Sequence, residues 1–467
     1  MDRNEKMMKL EKLSVPKMVV SNIIPSIISM LMVLFYNLAD AYFIGQTKDP
    51  LKFAAVNVAT PAFLIFMAVG MLFGIGGTSL ISRRFGEHRD EEARHASAFC
   101  FYTGLAIGLL GMLLLLLFLT PISRLVGASN DTLVYTKDYL FYVSFGIPFL
   151  IFSNMFSNIL RAEGRATMAM LGMIFGNLVN IALDPILILH LDMGTSGAAI
   201  ATLLGNVCSA AVYFGFLMTK HTRLSIRLSD YKAGGGIAAG VLAIGIPASL
   251  NSILMSVSNI LLNNVMKIYS DLAVAGLGVA MKVNMIVVML LIGIGGGVQP
   301  LFGYFFGAGN KKRYMEVFRF SMILAIISSI VMTIICYCGA DFLVRAFLDN
   351  DNAYNYAFSF SRKYIISGPI LGILFILINA IQATGAALPA LVLSISRQGL
   401  VFVPVLYTFN SIFHTTDAVA LSQPITDYLA VLMSIGVFYY VFRKYILHLQ
   451  PRGDGNVSKP VVHSDRS

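Results

Sequence analysis

Two aspartates interrupt stretches that are otherwise apolar. Asp40 lies in VLFYNLADAYFIG (Val33–Gly45), at the end of a run free of formal charge from Met18 onward. Asp184 lies in NLVNIALDPILILH, where spacings of three and four residues put Asn177, Asn180 and Asp184 on one helix face. Asn37 lies three residues before Asp40 on its own face, and Pro185 withholds an N–H from the Ile181 carbonyl. Carboxylate, amide, hydroxyl and carbonyl oxygens together form a site for a hard cation such as Na⁺. Proton exchange suits the same two acids, because burial and a like-charged neighbour both favour the neutral carboxyl. Spacing does not choose between the two ions. Two unrelated polar residues, each satisfied by helix packing, is the simpler alternative.

The value of these acids depends on their solvent, and composition settles that. Hydrophobic residues make up 57% of the 467, charged residues only 12%, and the mean hydropathy is +0.76. A soluble chain carries about a quarter charged residues. Apolar stretches of roughly 20 residues, enough to cross a bilayer as helix, recur throughout. They predict helices near 17–44, 52–82, 96–120, 135–160, 167–190, 194–219, 237–267, 271–304, 315–338, 355–381, 387–410 and 416–442. The expected fold is an all-α polytopic membrane protein of twelve transmembrane helices. A carboxylate at membrane depth costs about 2.5–3.5 kcal/mol, so it faces protein or a water-filled cavity. Asp40 is five residues from Gly45 and Asp184 six from His190, both near outer helix ends, at depths of roughly 7–8 and 9 Å. Thr202 falls roughly 12 Å into helix 6, and Asn180 one turn below Asp184. Asp40, Asn180, Asp184 and Thr202 thus share one slab.

With the N-terminus inside, 24 of the 34 lysines and arginines fall on inner segments, 8 on outer ones and 2 within helices. That asymmetry predicts cytoplasmic termini, and it attributes the formal charge of +10 to sidedness rather than to nucleic-acid binding. The first apolar run is too long for a signal peptide and lacks a small-residue cleavage site, so it reads as a retained helix. An internal repeat is present. GIPFLIFSNMFSNILRAEGRA (Gly146–Ala166) and GPILGILFILINAIQATGAA (Gly368–Ala387) align with an offset of 221, pairing Pro148 with Pro369 and Asn158 with Asn379. GIGG recurs at Gly74–Gly77 and Gly293–Gly296. Six helices per half make the repeat parallel, giving two pseudo-symmetric six-helix lobes across a cleft. The expected division is residues 1–220 and 237–450, a linker at 221–236, and a cytoplasmic tail at 451–467. The four cysteines fall within predicted spans without zinc-type spacing.

LADAYFIG, GIGGTSLISRRFGE, RAEGRATMAMLGMIFGNLVNIALDPILI and GAAIAT, in this order and with the half repeat, carry a resemblance. Over about residues 15–445 the chain resembles the multidrug and toxic compound extrusion (MATE) transporters of the MOP flippase-like fold, in their DinF-like branch and MepA-like members. The resemblance implies an antiporter, not an enzyme, that expels amphipathic and often cationic compounds using an inward H⁺ or Na⁺ gradient, with no other cofactor. It implies coupling in the first lobe through Asp40, Asn180, Asp184 and Thr202. Other branches use acids of the second lobe, where Leu254 and Ile370–Gly372 offer none.

Tyr36, Asn37, Tyr139, Asn154, Met173 and Asn177 are expected around the substrate, the tyrosines by stacking on aromatic cations and Met173 by adaptable packing. Interfacial anchoring and core packing are the competing roles. Lys282, Arg397 and Asp427 are expected as buried charges of the second lobe, in a structural network or at the substrate. Glu163 is expected either as a solvated loop charge or as a gating contact of Arg161 or Arg165. The partners expected are small drugs and membrane lipid, the protein a monomer of the bacterial inner membrane. A flippase for lipids or lipid-linked sugars is the alternative, and it needs a cationic cavity that Lys282 and Arg397 alone supply poorly. No HExxH, nucleophile elbow or paired catalytic motif occurs.

Overall fold

The computed structural model describes residues 13–46, 50–347 and 351–450; the predicted tail at 451–467 lies outside the described residues. The first half comprises α1 (Val15–Gln46), α2 (Pro50–Gly86), α3 (Asp90–Leu117), α4 (Leu133–Ala162), α5 (Ala166–Asp184, continued as a π-helix over Pro185–His190) and α6 (Gly194–Leu217). The second comprises α7 (Ile237–Lys267), α8 (Asp271–Gly307), α9 (Lys311–Cys338), the two-armed α10 (Asp351–Ile365 and Gly368–Thr384), α11 (Ala387–Phe413) and α12 (Thr416–Val441). Among the described residues, eleven helices are long and apolar enough to span a membrane, and twelve if the arms of α10 count as one span.

The termini carry local signals. Asp90, Glu91 and Glu92 open α3, where acids complement the helix dipole. Ser270, Asn310 and Thr415 cap α8, α9 and α12 through side-chain acceptors. One feature departs from the expected pattern. The predicted continuous helix at 355–381 is bent by 50° between its arms, because Pro369, at the start of the second arm, cannot donate back into the first. Short helices at Leu119–Leu125 and Ala340–Phe347 follow the third and ninth spans, at matching places in the two halves.

The repeat is visible in contacts. A Cβ at Gly74 would press on the Asn158 amide, and one at Gly295 on the Asn379 amide. Both asparagines donate at 2.8 Å to the carbonyl four residues earlier, Asn154 and Phe375. The glycine that matches Gly74 is therefore Gly295, two residues on from the alignment of the GIGG strings.

The halves meet where α1 packs along α8 and α2 along α7 and α8. Close contacts cluster toward the face that holds the start of α1 and the end of α2. Gly86 abuts the Tyr304 backbone, and Gly307 the Arg83 backbone. Arg83 donates across the boundary to the Thr384 carbonyl at 2.9 Å, and Ser79 to the Gln382 carbonyl at 2.6 Å. Residues 218–236 pack against the first half: Ser97 donates to the Ser225 carbonyl (2.7 Å) and Tyr102 to that of Ile226 (3.0 Å). Cys100 and Cys336 are buried, Cys208 is partly buried and Cys338 exposed, all free.

Candidate functional site

Asp184 is the last α-helical residue of α5, where Pro185 removes a backbone donor and the chain widens into the π segment, closed by Leu191 N–H to the Ile186 carbonyl at 2.9 Å. Widened turns of this kind occur often at functional sites. Helix α6 reaches this corner through missing side chains. A Cβ at Gly205 would meet the Gly176 carbonyl at 2.8 Å and Asn180 Cβ at 3.0 Å. That close approach sets Asn180 against Thr202, with the amide donating to the hydroxyl at a long 3.4 Å. Asp184 is fully buried, Asn180 2% and Thr202 8% exposed.

Asp40, from α1, interacts electrostatically with Asp184, and the Tyr36 hydroxyl sits against Thr202 within reach of both acids. Among the described residues, Asp184 Oδ1 and Oδ2, Asp40 Oδ1 and Asn180 Oδ1 are buried acceptors without a hydrogen-bond partner. A buried polar group left unpaired costs roughly 1–3 kcal/mol, more when charged. Four buried, unpartnered acceptors, among them oxygens of two acids within electrostatic reach of each other, suit a small cation. No group of three or more His, Cys, Asp or Glu able to hold a metal ion occurs among the described residues. The donor set is all oxygen with two acids, fitting a proton or an alkali cation better than a transition metal.

Asn180 and Thr202 belong to the wall of a cavity of about 130 Å³, which Asp40 and Asp184 do not line. Tyr36, Asn37, Asn154, Met173 and Asn177 also line it, while Tyr139 does not. Tyr139 packs in a core cluster with Ala59 and Ile188, still within electrostatic reach of Asp40 and Asp184. Asn37 and Asn154 spend one donor each on the carbonyls of Val33 and Leu150. Asn206 and Ser209, on the Thr202 face of α6, line the cavity too; sequence reasoning missed them, though their spacings of four and seven from Thr202 were the available signal. Among the described residues, no lysine or arginine lines it.

The expected buried charges of the second half divide. Lys282 is exposed, its ammonium 5.6 Å from the Phe347 ring centroid, which corrects the expectation of burial: its long stem carries the charge away from the helix core. Arg397 and Asp427 are buried and paired, with Arg397 Nε and Nη2 at 3.2 and 3.1 Å from Asp427 Oδ1. Ser367, at the bend of α10, donates to Asp427 Oδ2 at 2.9 Å, and Gln423 to Oδ1 at 3.2 Å. Asp427 is satisfied by four donors, so the pair braces α11, α12 and the α10 bend. Arg397→Met should destabilise the protein by about 3–5 kcal/mol, because it strands a buried carboxylate, and Arg397→Met with Asp427→Leu should recover most of the loss. Thermal unfolding in detergent checks this; a single variant as stable as the parent contradicts the bracing role.

Glu163 is buried rather than solvated. It accepts from the Thr222 hydroxyl (2.9 Å) and from the Arg223 backbone N–H, tying the end of α4 to the 218–236 connection. Burial pushes its carboxyl above the usual range against the pull of those donors and of Arg165 and Arg223. Arg161 is also buried, with Nε and Nη2 lacking partners among the described residues and Asn158 Oδ1 3.4 Å from Nη1.

This fold has known counterparts. The chain is 30% identical over 419 residues to the "Multidrug export protein MepA" of Staphylococcus haemolyticus (strain JCSC1435), covering 89% of this chain and 92% of that one. It is 31% identical over 422 residues to the protein of the same description from Staphylococcus aureus (strain NCTC 8325 / PS 47), again 89% and 92%. A solved structure described as "Outward-facing conformation of a multidrug resistance MATE family transporter of the MOP superfamily" superposes with a TM-score of 0.88 at 25% identity, over 94% of this chain and 98% of that one. The MatE family profile matches twice, at residues 25–186 and 247–408, once in each half of the helical repeat. The chain therefore belongs to the MatE family of transporters.

Proposed function

We propose that this protein is a multidrug efflux antiporter of the bacterial cell membrane, exporting amphipathic, often cationic compounds in exchange for H⁺ or Na⁺. The observation that carries the reading is the set of unpartnered buried oxygens on Asp40, Asp184 and Asn180 beside a cavity walled by Asn180 and Thr202. Both termini are cytoplasmic in this reading, and residues 1–220 and 237–450 are lobes joined at 221–236. The glycine-lined contact of α2 with α8 then lies on the cytoplasmic side, and the arrangement is outward-facing. A cation that binds the acids better in one arrangement shifts the balance between the two, and by linkage the substrate does the same through the shared wall.

The cavity volume of about 130 Å³ is below the roughly 300–1,000 Å³ of drug sites, so it holds one moiety of a ligand while the rest lies in the cleft. Among the described residues, five asparagines and no cationic side chain line its wall, which favours drugs over phosphate-bearing lipids, the alternative cargo. Purified protein in liposomes should move ethidium against its gradient when an inward H⁺ or Na⁺ gradient is imposed, and not without one. Ethidium flux indifferent to both gradients would refute antiport.

A further inference from the structure

A second, larger hollow lies on the outer side of the first lobe. It is a groove of about 670 Å³ between α3, α4 and α6, and every side chain on its wall is apolar. Phe145, Phe149, Leu204 and Phe214 are each about two-fifths exposed there, on a surface that faces acyl chains in a membrane. Phe101 and Phe152 close its wall with ring centroids 5.7 Å apart. Its volume, unlike that of the inner cavity, falls within the range of drug sites.

A third, small space lies between the two hollows. A space of about 10 Å³, roughly the room of one water molecule, lies between α4 and α6. Its wall shares Leu203 with the groove, and Leu150, Thr202 and Asn206 with the inner cavity. Gly146 faces Leu203 across this seam: a Cβ at Gly146 would lie 3.6 Å from Leu203 Cα and 3.7 Å from its Cβ. Deeper in, Ser153 donates to Asn206 Oδ1 at 3.2 Å, a single polar link across the same two helices. Pro148 lies within α4 at this level and weakens its backbone ladder there.

We propose that the groove is a loading site for amphipathic substrates taken from the bilayer, which pass through the Gly146–Leu203 seam into the first-lobe cavity. This rests on the efflux reading above and names the side from which that site is filled. An acyl chain alone needs no way inward. The small space between α4 and α6 offers one, with Leu203 on its groove side and Thr202 and Asn206 on its cavity side. Its aromatic wall also suits planar cations better than saturated chains. The seam is shut in the outward-facing arrangement, which keeps substrate from slipping back into the membrane while the cleft is open.

A disulfide tests the route, because the Cβ separation of 3.7 Å across the seam matches bonded cysteines. Gly146→Cys and Leu203→Cys would be combined in a full-length chain whose four native cysteines are alanine. Both sites lie in one lobe, so the bond does not fix one lobe to the other. Oxidation should lower gradient-driven ethidium export at least tenfold and dithiothreitol should restore it. Equilibrium ethidium binding should change less than twofold, since blocking a path slows arrival and departure alike. Undiminished export by the oxidised protein would overturn the route and show the groove to hold lipid only. Loss of binding together with export would overturn it as well, marking a distorted site. No export even when reduced would refute efflux itself, and the route with it.

Discussion

Asp184→Asn should reduce gradient-driven export to the rate of protein-free vesicles while leaving substrate binding within a few-fold of the parent. The amide has the same shape and still fits the corner where α5 widens at Pro185. It can neither give up a proton nor present a charged oxygen to Na⁺. Both Asp184 oxygens are buried without partners among the described residues, so no neighbour stands ready to take over. Asp40→Asn should behave the same way, because the two carboxyls lie within electrostatic reach of each other and one remaining acid lacks the second set of oxygens. Full gradient-driven export by either variant would remove that residue from coupling.

The second large effect is steric. Gly86→Val should abolish transport without unfolding the protein. A Cβ at Gly86 would fall on the Tyr304 carbonyl and 2.8 Å from the Ala308 nitrogen, both backbone atoms that have nowhere to move. Gly307→Val meets the Arg83 backbone in the same manner. Each substitution holds the two halves apart at the α2–α8 contact and opposes closure on that face. Ser79, fully buried in this closed arrangement, should then become accessible, so Ser79→Cys in the Gly86→Val background should react with a water-soluble maleimide much faster than alone. Gly215→Val, with nothing within 4 Å of its Cβ, should transport normally. Unchanged labelling and export in Gly86→Val would mean that the contact does not separate during transport.

The parts of this molecule that read directly from the chain are those set by one-dimensional periodicity. Apolar run length locates the spans, and the fixed rise of a helix places Asp40, Asp184 and Thr202 in one slab. Spacings of three and four put Asn177, Asn180 and Asp184 on one face. What escapes depends on how helices approach one another. That Gly176 and Gly205 bring α5 against α6, and so add Asn206 and Ser209 to the cavity wall, follows from a packing choice that a single helix does not encode. Lys282 is misplaced by sequence alone because helical position fixes where a side chain begins, not where a long flexible stem ends. Glu163 reads as a loop charge because its partners, Thr222 and Arg223, are about sixty residues away. The α10 bend is signalled by Ser367, Gly368 and Pro369, but an unbroken apolar pattern masks it.

Direct cation binding tests the coupling role of the two acids. Purified protein in detergent, free of substrate, should bind one Na⁺ or release one proton per chain on titration, with the two ions competing if both bind. Asp40→Asn and Asp184→Asn should each abolish that event while the folded helix content is kept. If both single variants bind or release the cation as the parent does, the two aspartates do not form the coupling site, and the cation acts elsewhere in the chain.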